Sequence, residues 1–385
     1  MNQSQSINSS HQILESIYQL FSKVGISPVE HREYTLDGYT VFDIVINRTI
    51  EEEEFNYIYR ELVSSKGLMP IQLDVSPPVV RVLPVPPRRI RRTLTLFLTI
   101  ATLLTVGITG YTLVYGFREI FPVPPSIVVL ETILYIVLFM GALMIHEIGH
   151  IIVSKKSSTL IEGPVLVPAP PPQLGFIGTF GAVIFMRTLP PSRRDLAKVG
   201  ISGPLLGFLA GTIIGLVGLF LSEILPKSLA SELMAKGELN TLPVYPLGLF
   251  LISFLRPEEG VLVIHPVFFI AYVIYLVTFI NLLPIGQLDG GHVVRSFLSS
   301  RTHKKVGDIT ILLLLAASLI TSLTSPYAEA SFFYFTLSVM AFILRLFVAR
   351  SVHPGPSNPL SKTKCYICLV VYVILLALTT PIPIY

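Results

Sequence analysis

His146, Glu147 and His150 stand together as His-Glu-Ile-Gly-His. On a helix, positions i and i+4 share one face a turn apart, so two imidazoles spaced this way reach one cation, with the intervening carboxylate beside it. A zinc ion in such a place acidifies water, and Glu147 is the candidate general base that takes its proton and passes it to a leaving amine. The motif alone is a modest signal. Its setting strengthens it, because it falls inside the apolar run Ser126 to Val153, where ionisable groups are costly unless paired, wetted or bound to metal.

A catalytic zinc takes a third protein ligand, and Asp289 is the candidate at matching depth. His150 precedes Lys155 by five residues and His146 by nine, which puts them roughly 8 to 14 Å from the basic boundary of their helix. Asp289 precedes Arg295 by six residues, about 9 Å from the same kind of boundary. Its helix is interrupted at Pro284 and Gly286 and relaxed at Gly290-Gly291, and broken backbone inside a membrane is tolerated where it lines a cavity. His292 is open between a hydrogen bond near the interface and an alternative ligand. Asn281 could donate to a substrate carbonyl or to a neighbouring helix. Glu131 is expected to snorkel to water, Glu162 to be solvated, and His265 lies at the wrong end of its helix to serve as ligand.

The elements that must carry these residues are membrane helices. The chain is 52% hydrophobic and 14% charged, with a mean hydropathy of +0.70, and its apolar residues gather in runs long enough to span a bilayer. Positive residues stay inside. Arg88, Arg89, Arg91 and Arg92 precede the run Thr93 to Gly116, Lys155-Lys156 close the next, and Arg193, Arg194 and Lys198 precede Ile201 to Leu221. Pro266 to Leu283 returns, and Val306 to Leu323, Phe332 to Phe347 and Tyr366 to Thr379 follow. The expected fold is a polytopic α-helical membrane protein of six to seven crossings, residues 88–385, in the cell membrane with its N-terminus and active-site opening cytoplasmic.

Residues 1–87 read as a small soluble α+β domain with a proline-rich linker, and a start without basic and apolar signal regions predicts no cleaved leader. The domain has a helix over His11 to Val24, a strand pair turning at Asp37-Gly38, a helix capped by Thr49, a strand over Ile71 to Val75, and a linker from Pro77 to Pro87. It is the candidate contact for a regulatory partner. The segment Leu160 to Leu189 mixes prolines with Gly175, Gly178 and Gly181, and no spanning helix is built that way. It is expected as a re-entrant hairpin loop whose edge could pair with an unwound substrate, with Gly178, Phe180 and Gly181 as candidate contacts. Cys365 and Cys368 form a lone CxxC and read as helix-end residues. The small net charge of +4, gathered beside apolar runs, gives no surface for nucleic acid.

His146 to His150, followed by Asn281-Leu282-Leu283-Pro284-Ile285-Gly286-Gln287-Leu288-Asp289-Gly290, resembles the paired motifs of the site-2 protease family of intramembrane metalloproteases. Gly178 to Ala182 and Ser202-Gly203-Pro204 are similar to further family segments, closest to its archaeal and chloroplast branch. The likeness covers about residues 126 to 300. It implies a three-helix catalytic core, one Zn2+ per chain held by His146, His150 and Asp289, catalysis by Glu147, and single-pass membrane proteins as substrates within the lipid bilayer. A rival reading is a transporter or metal-binding channel using the same polar residues. That reading expects polar groups along several crossings, whereas here they concentrate at one depth. Other membrane zinc peptidases with the same motif take a downstream glutamate as ligand, and none is well placed after His150.

Overall fold

A computed structural model describes residues 3–88, 90–170, 177–257, 259–324, 328–347 and 353–383. The first elements are α1 (Gln3–Lys23), β1 (Pro28–Leu36), β2 (Tyr39–Ile46), α2 (Glu52–Glu61), β3 (Leu68–Leu73) and β4 (Val79–Pro84). The strands form one antiparallel sheet in the order β1-β2-β4-β3. Asp37 and Gly38 both have positive φ, 50° and 81°, the backbone that a two-residue hairpin turn requires. Ile17 and Phe21 of α1 and Phe55 and Ile58 of α2 close a core against Ile44 and Val80 of the sheet.

Two local expectations are corrected. The cap of α2 is Glu51 and not Thr49, because Glu54 accepts from the Glu51 backbone N–H at 3.0 Å while Arg48 grips the same carboxylate at 2.7 and 2.8 Å. The segment read as a linker holds β4, a central strand. Its interior, Val79 to Leu83, is free of proline and rich in valine, and the prolines sit at positions 77, 78 and 84, where a ladder tolerates them.

The remaining chain is mostly helical. It runs through α3 (Arg92–Ile120), α4 (Pro125–Lys156), β5 (Ile161–Pro168), β6 (Thr179–Met186), α5 (Arg193–Leu221), β7 (Glu223–Leu225), α6 (Lys227–Ala235), β8 (Tyr245–Pro246) and α7 (Leu247–Ser253). Then follow β9 (Val261–Val263), α8 (Pro266–Leu282), α9 (Asp289–Phe297), α10 (Ser300–Leu323), α11 (Ala328–Phe347), α12 (Tyr366–Thr379) and β10 (Pro381–Ile382). Among the described residues, α3, α4, α5, α10 and residues Glu329–Leu346 of α11 are long and apolar enough to cross a membrane, and α8 and α12 are shorter apolar helices. The chain is a multi-pass membrane protein. The stretch Leu247 to Leu255 yields only the seven-residue α7, too short to span.

Helix α5 is the hub, packed against α4, α8 and α9. β5 and β6 form an antiparallel hairpin that lies along α3, where the Thr105 hydroxyl donates to the Gly178 carbonyl. Pro171, Pro172, Gly175 and Phe176 of that segment lie outside the described residues, as do Arg89 and Arg350 of the basic clusters. Both legs of the hairpin end on the N-terminal sheet and helices. There Tyr59 donates to the Leu189 carbonyl at 2.7 Å and meets the Thr188 hydroxyl at 2.9 Å, while Leu160 and Leu189 pack on the core beneath. Burial raises the Tyr59 hydroxyl to about 12, so it remains a donor at any physiological pH.

An extended strap, residues 353–363, ties the two parts together. The backbone of Ser357 accepts from Gln72 of β3 at 3.1 Å and donates to Pro190 at 2.8 Å, and Asn358 donates to Pro191 at 3.0 Å. Further along, Ser361 donates to Glu52 of α2 at 2.8 Å, and Arg193 of α5 donates to the Pro359 carbonyl at 3.0 Å. After the strap, Cys365 and Cys368 are joined by a disulfide at the start of α12, a bond not expected of helix-end residues. Glu131 does not snorkel. Its carboxylate takes both Arg118 Nε, at 2.9 Å, and Arg118 Nη2, with His265 Nε2 3.7 Å away.

An inward-held pair costs most when one partner is removed, because the other charge stays uncompensated. Glu131→Ala should therefore destabilise the protein by about 3 kcal/mol, whereas Arg118→Met combined with Glu131→Leu should come within about 1 kcal/mol of wild type. Thermal unfolding in detergent, followed by helical circular dichroism, measures both.

Candidate metal centre

His146 and His150 project from one face of α4, and Asp289 opens α9 as its first residue. The acid reaches its place because α8 stops at Leu282 and the chain turns through Pro284 and through Gly286 at φ 54°. Gly290 and Gly291 do not relax the helix there, since α9 runs straight through them. A Cβ on Gly290 would strike the Leu282 backbone and one on Gly291 the Gly286 carbonyl, so these glycines let α9 fold back tightly under the end of α8.

The three side chains meet. His146 Nε2 lies 3.3 Å and His150 Nε2 3.4 Å from Asp289 Oδ2, and the two Nε2 atoms are 3.3 Å apart. Ligands about 2.1 Å from a tetrahedral ion stand about 3.4 Å from one another, so two nitrogens and an oxygen at these separations fit three corners of such a site. Each of the three can supply one ligand atom to a shared metal ion. His150 Nδ1 is 2.8 Å from the Val199 carbonyl, which places its proton on Nδ1 and leaves Nε2 bare for a metal.

This approach depends on α5. A Cβ on Gly203 would be 2.1 Å from His150 Nε2, and one on Gly207 would be 2.9 Å from His146 Nδ1. On the same face, a Cβ on Gly200 would be 2.7 Å from the Asp289 carbonyl, and α4 offers Gly149 in return, against Ser202. Pro204 lies inside α5, where its missing N–H leaves the carbonyl four residues earlier, that of Gly200, without its helical donor.

A cavity of about 180 Å³ borders these ligands. Glu147, which is buried, lines it together with Asn281 and His292. The hairpin contributes Ala182, Val183, Ile184 and Met186, and the turn before α9 contributes Gln287. Gly178, Phe180 and Gly181, the candidates from the sequence, are not among the lining residues. Gly178 turns toward α3, and Phe180 is 61% exposed. The residues that line the cavity lie a few positions further along β6, and the alternation of small and apolar residues over 178–186 does not say which part of the strand passes it. His265 lies away from the cavity, beside Glu131, and Glu162 accepts from the Ile90 backbone N–H at 2.9 Å.

A model of peptidase family M50 matches residues 134–324. The chain is 27% identical over 250 residues to a probable zinc metalloprotease EGY2, chloroplastic, of Arabidopsis thaliana, a match covering 62% of this chain and 39% of that protein. It is 25% identical over 178 residues to the probable zinc metalloprotease EGY1, chloroplastic, of the same plant, covering 46% and 31%. To the zinc metalloprotease MJ0392 of Methanocaldococcus jannaschii it is 28% identical over 169 residues, covering 44% and 35%. The chain thus spans about two fifths or less of the length of these relatives. No solved structure matches it.

Gly203→Ala should displace His150 and lower the affinity for a divalent metal about tenfold or more. Gly116→Ala, where a Cβ meets nothing within 4 Å, should leave it unchanged. Elemental analysis of the two purified variants after equilibrium dialysis against graded free metal separates these outcomes.

Proposed function

Since the chain belongs to peptidase family M50, the site-2 protease family, by its residues 134–324, we propose that it is an intramembrane zinc metalloprotease that hydrolyses peptide bonds in or beside the transmembrane segments of single-pass membrane proteins. The observation that carries the reading is the triangle of His146, His150 and Asp289 with Glu147 in the same buried cavity. One zinc ion is held by the first three residues, and what it supplies when bound is Lewis acidity toward water and the peptide carbonyl.

The chain's own residues do the rest. Glu147 takes the proton of the attacking water and returns it to the amide nitrogen as the C–N bond breaks. Asn281 offers an amide to the substrate backbone from the cavity wall. Among the described residues β6 pairs with β5 along one edge only, and the cavity is lined by three consecutive residues of it, Ala182, Val183 and Ile184. Consecutive strand residues point to opposite faces, so a wall made of three in a row is the strand's edge. An unwound substrate segment adds to that edge as a third strand, with its carbonyls freed from helical hydrogen bonds.

The same reading makes residues 1–87 a separate α+β domain and residues 88–385 the protease, with its catalytic core over about 126–300. It takes α3, α4, α5, α8, α10, α11 and α12 as seven crossings and the β5–β6 hairpin as re-entrant. Arg88, Arg92, Lys155, Lys156 and Arg193 then put the N-terminus and the cavity mouth on the cytoplasmic side of a cell membrane, where the N-terminal domain can meet a regulatory partner.

Purified protein in detergent, incubated with a panel of single-pass membrane substrates, tests this. Wild type should cleave, and Glu147→Gln should lower the rate by about 10⁴-fold while keeping about one zinc per chain. A Glu147→Gln variant that retains the cleavage, or a wild type that binds no metal, overturns the proposal.

A further inference from the structure

His292, one turn beyond Asp289 on α9, lines the cavity. Its Nδ1 lies 2.8 Å from Nε2 of His353, which the strap brings in at its first described residue. The protons along this contact are set by a neighbour that has no alternative. The backbone N–H of Gly355 donates to His353 Nδ1 at 3.0 Å, so that nitrogen carries no proton. The proton of His353 is therefore on Nε2, where it is donated to His292 Nδ1. That nitrogen in turn is bare, and the proton of His292 is on Nε2. Neither ring can become a cation without turning two N–H groups against each other.

The surroundings hold this chain of bonds in place. The His353 carbonyl accepts from Arg295 Nε at 3.3 Å and from the Ser300 hydroxyl at 3.1 Å. The His353 ring stands edge-on to His303, with centroids 5.4 Å apart, and both His292 and His353 are buried. Gly355, at φ 82°, has Arg295 so close that a Cβ would meet the guanidinium, which fixes the turn that aims its N–H. With Nδ1 engaged by His353 and the His292 Cβ packed against Gly200, the edge of the ring left to face the cavity is the one bearing Nε2–H.

We propose that His353 is a positioning residue that locks His292 as a neutral Nε2–H donor on the cavity wall, offered to the carbonyl oxygen of the peptide bond being cut. The assignment of the acceptor rests on the protease reading, whereas the locked tautomer does not. A donor aimed at oxygen as it gains negative charge acts on the rate of the chemical step more than on binding. This role asks nothing of His292 as a metal ligand.

Nitrogen-15 NMR of histidine-labelled, zinc-loaded protein reads the tautomers directly, with His292→Asn and His353→Asn to assign the two signals. Both rings should show a protonated Nε2 and an unprotonated Nδ1, and a protonated Nδ1 on His292 overturns the proposal. In kinetics, His353→Ala should lower kcat about ten- to hundredfold with KM within about twofold and zinc content unchanged. His353→Gln, whose amide N–H can replace Nε2–H, should recover most of the loss. A glutamine variant no better than alanine, or a loss confined to KM or to bound zinc, refutes it. If wild type cuts no membrane substrate, the protease reading fails, and the tautomer signals still decide whether His353 locks His292.

Discussion

A carboxylate and two imidazoles sit where water is scarce, and they do so because each meets the others. Isolated, any one of them would be expelled or neutralised at a cost of several kcal/mol. Their meeting needs three backbones to come closer than ordinary side chains allow. α5 supplies that closeness with Gly200, Gly203 and Gly207, which face Asp289, His150 and His146 in turn. The centre is thus built as much by missing side chains as by present ones. The three side chains that could hold a metal ion come from α4 and α9, but the helix between them gives the distance.

The same closeness explains what was legible in the amino-acid sequence and what was not. The i, i+4 histidines and the depth of Asp289 could be read, because helical rise and hydrophobic length convert residue number into position. The turn at Asp37-Gly38 could be read because few residues accept that backbone. β4 is hidden by flanking prolines that the strand tolerates at its ends, and Thr49 fits a cap by its spacing to Glu52, although Glu52 accepts from Ser361 instead and Glu54 closes the box with Glu51. Glu131 looked like a solvated acid near a helix end. Its partners, Arg118 and His265, come from α3 and from the start of α8, and no local pattern announces a tertiary ion pair. The stretch of β6 beside the cavity was missed by a few residues for a related reason, since strand alternation gives faces and not the position along the strand at which another element passes.

Two parts of the molecule that look separate in sequence share their boundary at the hairpin. Its legs end at Leu160 and Leu189, against the N-terminal sheet and helices, with the Thr188 hydroxyl accepting from both the Leu160 backbone N–H and Tyr59. The strand edge beside His146, His150 and Asp289 is therefore anchored at its base by the N-terminal sheet and helices. The base of that edge thus rests on packing outside the apolar helices, in a core of isoleucine, phenylalanine and valine.

The strap gives this arrangement an order in time. His146 and His353 stand about two hundred residues apart along the chain, and translation delivers them in that order. When α4, α5 and α9 have already been made, the wall behind His292 still lacks its partner, and Gln72, Pro190 and Glu52 still lack theirs. Only after residues 353–363 have left the ribosome and settled between sheet and helices does His292, on the cavity wall, gain its partner His353. The polypeptide therefore passes most of its elongation before the strap can join the sheet to the helices.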